Sequence, residues 1–115
     1  MLKSILEEFL SLEGVAAAAL VGRDGFVIEI ATANSVDTDA LGALTSSAMR
    51  FYDASGDSMG MGPLKQLVME YNDGALILTP VTASEFLALL SETRSATGRL
   101  TYEVARASER VAAAL

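Results

Sequence analysis

The chain has 115 residues, 51% of them apolar, and a formal net charge of −7. This length predicts one domain over residues 1–115, large enough for a sizeable core. Cysteine and histidine are absent, which excludes disulfides, thiolate zinc sites and histidine-based catalytic triads. The acidic balance argues against nucleic acid and anionic membranes as partners. Without a signal peptide or a run of about 20 apolar residues, the chain is expected in the cytoplasm.

The N-terminal third predicts a helix followed by a β-hairpin. Helical spacing relates the first apolar residues, Leu2, Ile5, Leu6, Phe9 and Leu12. Gly14 ends this helix, and VAAAALVG (residues 15–22) then has the two apolar faces of a covered strand. The turn at residues 23–25 joins it to FVIEI (residues 26–30), where Glu29 indicates a position near a sheet edge.

A second helix is predicted from a cap at Ser35 or Asp37 to about Ala54. Its apolar stripe is expected to pack on the sheet and comprises Leu41, Leu44, Ala48, Phe51 and Tyr52. A separate face of small residues comprises Gly42, Ala43, Ser46 and Ser47. We expect this small-residue face to accept a partner helix, with simple exposure to solvent as the alternative.

Three strands and a last helix complete the predicted elements. The strands are residues 64–71, 75–79 and 86–90, the first two joined by a turn at Asn72-Asp73-Gly74. The helix begins after Thr93 or Ser95, with a stripe of Leu100, Val104, Ala107, Val111 and Leu115. The order α-β-β-α-β-β-β-α predicts an α/β (α+β) three-layer sandwich with a five-stranded, mainly antiparallel sheet. Helix 2 covers one face, and helices 1 and 3 cover the other.

Two short motifs are rejected as ligand sites. GMGPLK (residues 60–65) precedes a strand, whereas a phosphate loop opens a helix. DTDALG (residues 37–42) places Leu41 and Ala48 where a calcium loop needs oxygen ligands. We therefore expect no catalytic residue, cofactor or metal in this chain.

The third strand is the most polar of the five, which is typical of an edge strand. An edge strand beside an interface helix can pair with its own copy across a two-fold axis. Helix 2 and strand 3 together therefore predict a dimer or partner interface. Its candidate residues are Gly42, Ala43, Ser46, Ser47, Met49, Arg50, Asp53, Lys65, Gln66 and Val68.

Nearly the whole chain resembles a Roadblock/dynein light chain domain. The resemblance rests on GVAAAALVGRDGFVIE, LKQLVMEYNDGALILTPV and FLALLSETRSATGRLTYEV, in that order along the chain. It implies homodimers or heterodimers formed through helix 2 and strand 3, without catalytic residues of their own. It also implies that MglB-like bacterial members bind Ras-like small GTPases and stimulate GTP hydrolysis. At Gly98, by the same resemblance, a side chain would push the last helix off the sheet.

Our first functional hypothesis is therefore a homodimeric regulator of a Ras-like small GTPase, in which Ser46, Met49, Arg50, Asp53 and Lys65 contact the partner. Two alternatives share the fold. One is a structural adaptor similar to a light chain. The other is a small-molecule sensor of the PAS or GAF kind, which would need a cavity between the sheet and a helix.

Overall fold

The computed structural model describes residues 1–92 and 97–115. These residues form the eight elements in the predicted order: α1 (Leu2–Phe9), β1 (Val15–Gly22), β2 (Val27–Thr32), α2 (Thr38–Ser58), β3 (Leu67–Tyr71), β4 (Gly74–Pro80), β5 (Glu85–Ser91) and α3 (Thr97–Ala113). The predicted starting points of the last helix, Thr93 and Ser95, lie outside the described residues. None of the described helices is long and apolar enough to cross a lipid bilayer.

The five strands form one sheet in the order β2-β1-β5-β4-β3, with every neighbouring pair antiparallel. This order confirms the predicted edge positions of β2 and β3 and the central position of β5. All eight residues of β1 are buried, because helices cover the sheet on both sides. The alanines of β1 are therefore strand residues despite their helical propensity.

Two hydrophobic clusters lie on opposite faces of the sheet and confirm the predicted layers. The first joins α1 and α3 to the sheet through Ile5, Leu6, Phe9, Leu100, Val104 and Val111. The second lies under α2 and includes Leu41, Met49, Leu78 and Phe86. The prediction for Leu115 is wrong: its side chain is 55% exposed, because α3 ends at Ala113.

Local interactions shift several predicted boundaries. The Asp37 carboxylate caps α2 by accepting a hydrogen bond from the Ala40 backbone N–H at 3.1 Å, and the helix continues past Ala54 to Ser58. β3 begins at Leu67 rather than Leu64, since the Leu64 N–H donates to the Asp53 carboxylate at 2.9 Å. The hairpin between β1 and β2 turns at Gly25, whose φ is +96°.

The expected role of Gly98 is wrong. Gly98 is exposed at the beginning of α3, and a Cβ there would have no heavy atom within 4 Å among the described residues. A side chain at this position would therefore point away from the sheet.

Candidate interaction surface

The helix α2 packs on the sheet through a face that borders the predicted stripe and shares only Leu41 with it among its fully buried residues. Its buried residues are Leu41, Gly42, Thr45, Ser46 and Met49. Leu44 is 68% exposed, Phe51 65% and Tyr52 44%. Gly42, Ser46 and Met49, expected at a partner interface, are thus covered by the chain's own sheet and hairpin, and most of the large apolar stripe is open.

The close approach of the α2 backbone to the β1–β2 hairpin explains why this face of the helix is buried. A Cβ on Gly42 would lie 2.2 Å from the Gly25 carbonyl oxygen, so a side chain at Gly42 cannot fit there. Small residues of the sheet, Ala19 and Ala88, belong to the cluster beneath the helix. Two of the four small residues of α2, Gly42 and Ser46, therefore lie on its packed side. The small side chains of Ala19 and Ala88 permit the helix to approach the sheet closely.

Buried hydroxyl groups on this face form hydrogen bonds within the helix itself. Thr45 Oγ1 donates to the Leu41 carbonyl at 2.6 Å, and Ser46 Oγ donates to the Ala43 carbonyl at 3.2 Å. Because these polar atoms have partners, Thr45 and Ser46 can be buried at low cost.

Ala48 of α2 and Met69 of β3 pack against the same cluster beneath α2, so the open side of the helix and β3 belong to one layer of the molecule. We call this layer's surface the α2–β3 face, defined as Leu44, Ala48, Phe51, Tyr52, Met69 and Tyr71. The Phe51 and Tyr52 rings pack edge to face, with centroids 4.9 Å apart. Met69 is half-buried against the cluster beneath α2, and Tyr71 is 59% exposed. Clustered exposed apolar side chains of this kind are typical of protein–protein contact sites.

Polar contacts fix the C-terminal half of α2 to the neighbouring loops. Asp53 accepts hydrogen bonds from the Leu64 N–H at 2.9 Å and from Arg23 Nη1 at 3.1 Å. The Leu64 N–H bond is the main cause that lowers the pKa of Asp53, and the charge of Arg23 adds to it. Arg50 Nη1 donates to the Arg23 carbonyl at 2.7 Å. Asp53 and Arg50 therefore hold the helix, the hairpin turn and the chain before β3 together.

The other predicted interface residues occupy three separate places. Ala43 and Ser47 are exposed beside Arg50, along a surface depression of about 400 Å³ next to the β1–β2 hairpin. Lys65 is exposed, whereas Gln66 Nε2 donates to Thr79 Oγ1 and to the Thr101 carbonyl, each at 3.1 Å. Val68 lies at the β3 edge opposite Ile77, whose side chain belongs to the cluster of α1 and α3.

The sequence pattern did not predict that Leu44, Phe51 and Tyr52 are exposed, because large apolar residues were assigned to the core by default. One signal was present. An alanine-rich strand needs a helix that can approach closely, and only the small face of α2 permits that approach. Within the described part of the chain, no group of three or more acidic residues is arranged to hold a metal ion.

Residues 1–91 match the family model of the Roadblock/LC7 domain. The chain belongs to this family. Over 98% of its length it is 31% identical to an uncharacterised protein of Methanocaldococcus jannaschii, MJ1340, of which 98% is covered. The Roadblock/LC7 fold of the chain thus agrees with the resemblance seen in its sequence.

Solved structures of the same fold include bacterial MglB proteins. The gliding protein MglB of Thermus thermophilus aligns with a TM-score of 0.88 at 23% identity, covering 97% of this chain and 86% of that one. A structure described as MglB with tetrameric arrangement aligns with a TM-score of 0.89 at 23% identity, covering 97% and 85%. At this level of identity, these structures establish the shared Roadblock/LC7 fold.

Proposed function

We propose that this Roadblock/LC7 protein forms a homodimer through its α2–β3 face and regulates GTP hydrolysis by a Ras-like small GTPase. The observation that carries the proposal is the exposure of Leu44, Phe51 and Tyr52 on a helix whose other side is already packed. An apolar face that the chain itself leaves open gains stability when a second protein covers it. The tetrameric arrangement named for a structurally similar MglB supports self-association of this fold.

The edge strand β3 is suited to the same contact. It pairs with β4 in an uninterrupted register from Leu67 to Tyr71, and its other side is a sheet edge. No side chain among the described residues forms a hydrogen bond with the backbone of these five residues. Antiparallel pairing of two β3 strands across a two-fold axis would continue the sheet and bring both α2 helices together.

Support for a GTPase partner comes from the family. The resemblance to MglB-like members implies a Ras-like small GTPase as partner, and the surface beside the dimer contact offers a place for it. Arg50 and Ser47 stay exposed next to the β1–β2 hairpin. In this proposal the dimer acts by conformation, holding the switch regions of the GTPase in a hydrolysis-competent arrangement.

A phosphate-release assay tests the proposal, using the purified Ras-like GTPase encoded nearest to this gene. We expect the wild-type chain to bind the GTP-loaded form and to accelerate hydrolysis by about tenfold or more. Arg50→Ala should weaken that stimulation without unfolding the chain, since Arg50 is exposed and the bonds of Asp53 to Leu64 and Arg23 still connect the helix to the hairpin. The matched control is Arg106→Ala, which removes an exposed arginine from α3 on the opposite layer.

The assay also separates the alternatives. Binding without any change in hydrolysis would favour an adaptor similar to a light chain over a regulator. Unchanged stimulation by Arg50→Ala would remove Arg50 from the partner surface. The absence of both binding and stimulation would contradict the proposed GTPase function, and the oligomeric state of the chain would remain a separate measurement.

A further inference from the structure

The two edges of the sheet differ in regularity. β3 follows a continuous register against β4. In β2, by contrast, Glu29 lies opposite Leu20 and Val27 lies opposite Val21, so that Ile28 has no residue opposite it. Such a bulge interrupts the flat hydrogen-bonding edge that another strand would need.

The helix α1 adds a second obstacle at the β2 edge. Lys3 Nζ donates a hydrogen bond to the Ile30 carbonyl and lies 3.5 Å from Glu29 Oε1. The same Glu29 oxygen accepts a hydrogen bond from the Ile30 N–H at 3.3 Å. Both backbone groups of Ile30 are thus occupied by side chains, in positions where an added strand would have to bond.

Stability does not account for this arrangement. The side chains of Lys3 and Glu29 are 52% and 38% exposed, and ion pairs with such exposure contribute little to folding. The segment they protect is apolar, because Phe26 is 75% exposed and Ile28 51%. An unprotected edge with these residues would be a site for pairing with other chains.

We propose that Lys3 and Glu29 close the β2 edge to strand addition, so that the sheet extends by pairing only at β3. This inference rests on the proposed dimer for the use of β3, and it goes beyond it by assigning a role to the opposite edge. With β3 consumed by two-fold pairing and β2 closed, the assembly has no free strand for open-ended growth.

Sedimentation velocity over a wide range of protein concentrations tests the role of Lys3. In Lys3→Ala, we expect the weight-average mass to rise with concentration above that of the wild type and to keep rising, because each dimer then has two open β2 edges that can pair. Arg106→Ala is the matched control, since it removes an exposed, ion-paired cation of the same charge from α3, outside the sheet. Circular dichroism melts should give Lys3→Ala a melting temperature close to that of the wild type.

A second substitution makes the test specific for the edge. In the Lys3→Ala background, Ile28→Lys should restore the wild-type mass by placing a charge on the opened edge. Three results would overturn the proposal: no growth of Lys3→Ala, equal growth of Arg106→Ala, or growth that Ile28→Lys fails to reverse. A monomeric wild type would instead contradict the pairing at β3. The mass of Lys3→Ala would still be compared with that of the wild type, so the role of Lys3 can be tested separately.

Discussion

Truncation of Phe51 tests whether the open side of α2 is the surface of self-association. The Phe51 side chain is 65% exposed, so its removal should leave the fold of the single chain intact. In the proposed dimer the same ring lies between the two α2 helices. Phe51→Ala should therefore weaken association while changing the intrinsic stability of each chain very little.

The size of the effect follows from the area involved. A phenylalanine buries roughly 200 Å² when fully covered, so about 130 Å² of Phe51 remains available to a partner. At about 25 cal/mol per Å², covering that area contributes up to ~3 kcal/mol per chain. An alanine side chain keeps part of this contribution, so Phe51→Ala should lower the free energy of association by about 2 kcal/mol for each of the two copies. The dimer dissociation constant should rise by about three orders of magnitude.

Sedimentation equilibrium measures that constant directly. Phe26→Ala is the control, because Phe26 is a still more exposed phenylalanine, at 75%, that lies on the β1–β2 hairpin outside the α2–β3 face. It should leave the dissociation constant unchanged. Equal constants for wild type and Phe51→Ala, or a larger loss in Phe26→Ala, would refute the assignment of the contact to this face.

Two further substitutions test the packing of α2. Gly42→Ala should destabilise the chain by about 1–3 kcal/mol, since its methyl group would lie 2.2 Å from a backbone oxygen. The control is Gly98→Ala, which should not lower the melting temperature. Equal melting temperatures for Gly42→Ala and the wild type would contradict this packing. Because the Leu64 N–H and Arg23 lower the pKa of Asp53, its stabilising contribution should be full above about pH 4 and disappear as pH falls through the lowered pKa. Urea titrations should show a weaker acid dependence for Asp53→Asn, and an identical dependence would remove Asp53 from the account.

Much of the architecture was predictable from local patterns. Turn residues at 23–25 and 72–74 marked both hairpins, and the polar residues of β2 and β3 indicated the edges. The stripe of Leu100, Val104, Ala107 and Val111 was strong enough to orient α3 correctly. These features depend on short-range periodicity, which the sequence displays directly.

The orientation of α2 was not predictable from periodicity, because the helix carries two faces that can both be buried. Leu44 and Phe51 have more apolar area than Gly42 and Ser46, and area alone favours the wrong face. The contact of Gly42 with the Gly25 carbonyl decides the orientation, and residues distant in sequence create that contact. A helix with two faces that can be buried is therefore better interpreted as making two contacts, one within the chain and one with a partner.

A single introduced cysteine gives the most direct test of the α2–β3 face, since the natural chain contains none. Ala48→Cys places a thiol between Leu44 and Phe51 on that face, and Ala105→Cys places one on the exposed side of α3. With a short bis-maleimide linker, the account predicts a covalent dimer for Ala48→Cys and none for Ala105→Cys. Efficient dimer formation by Ala105→Cys, with Ala48→Cys remaining monomeric, would contradict it.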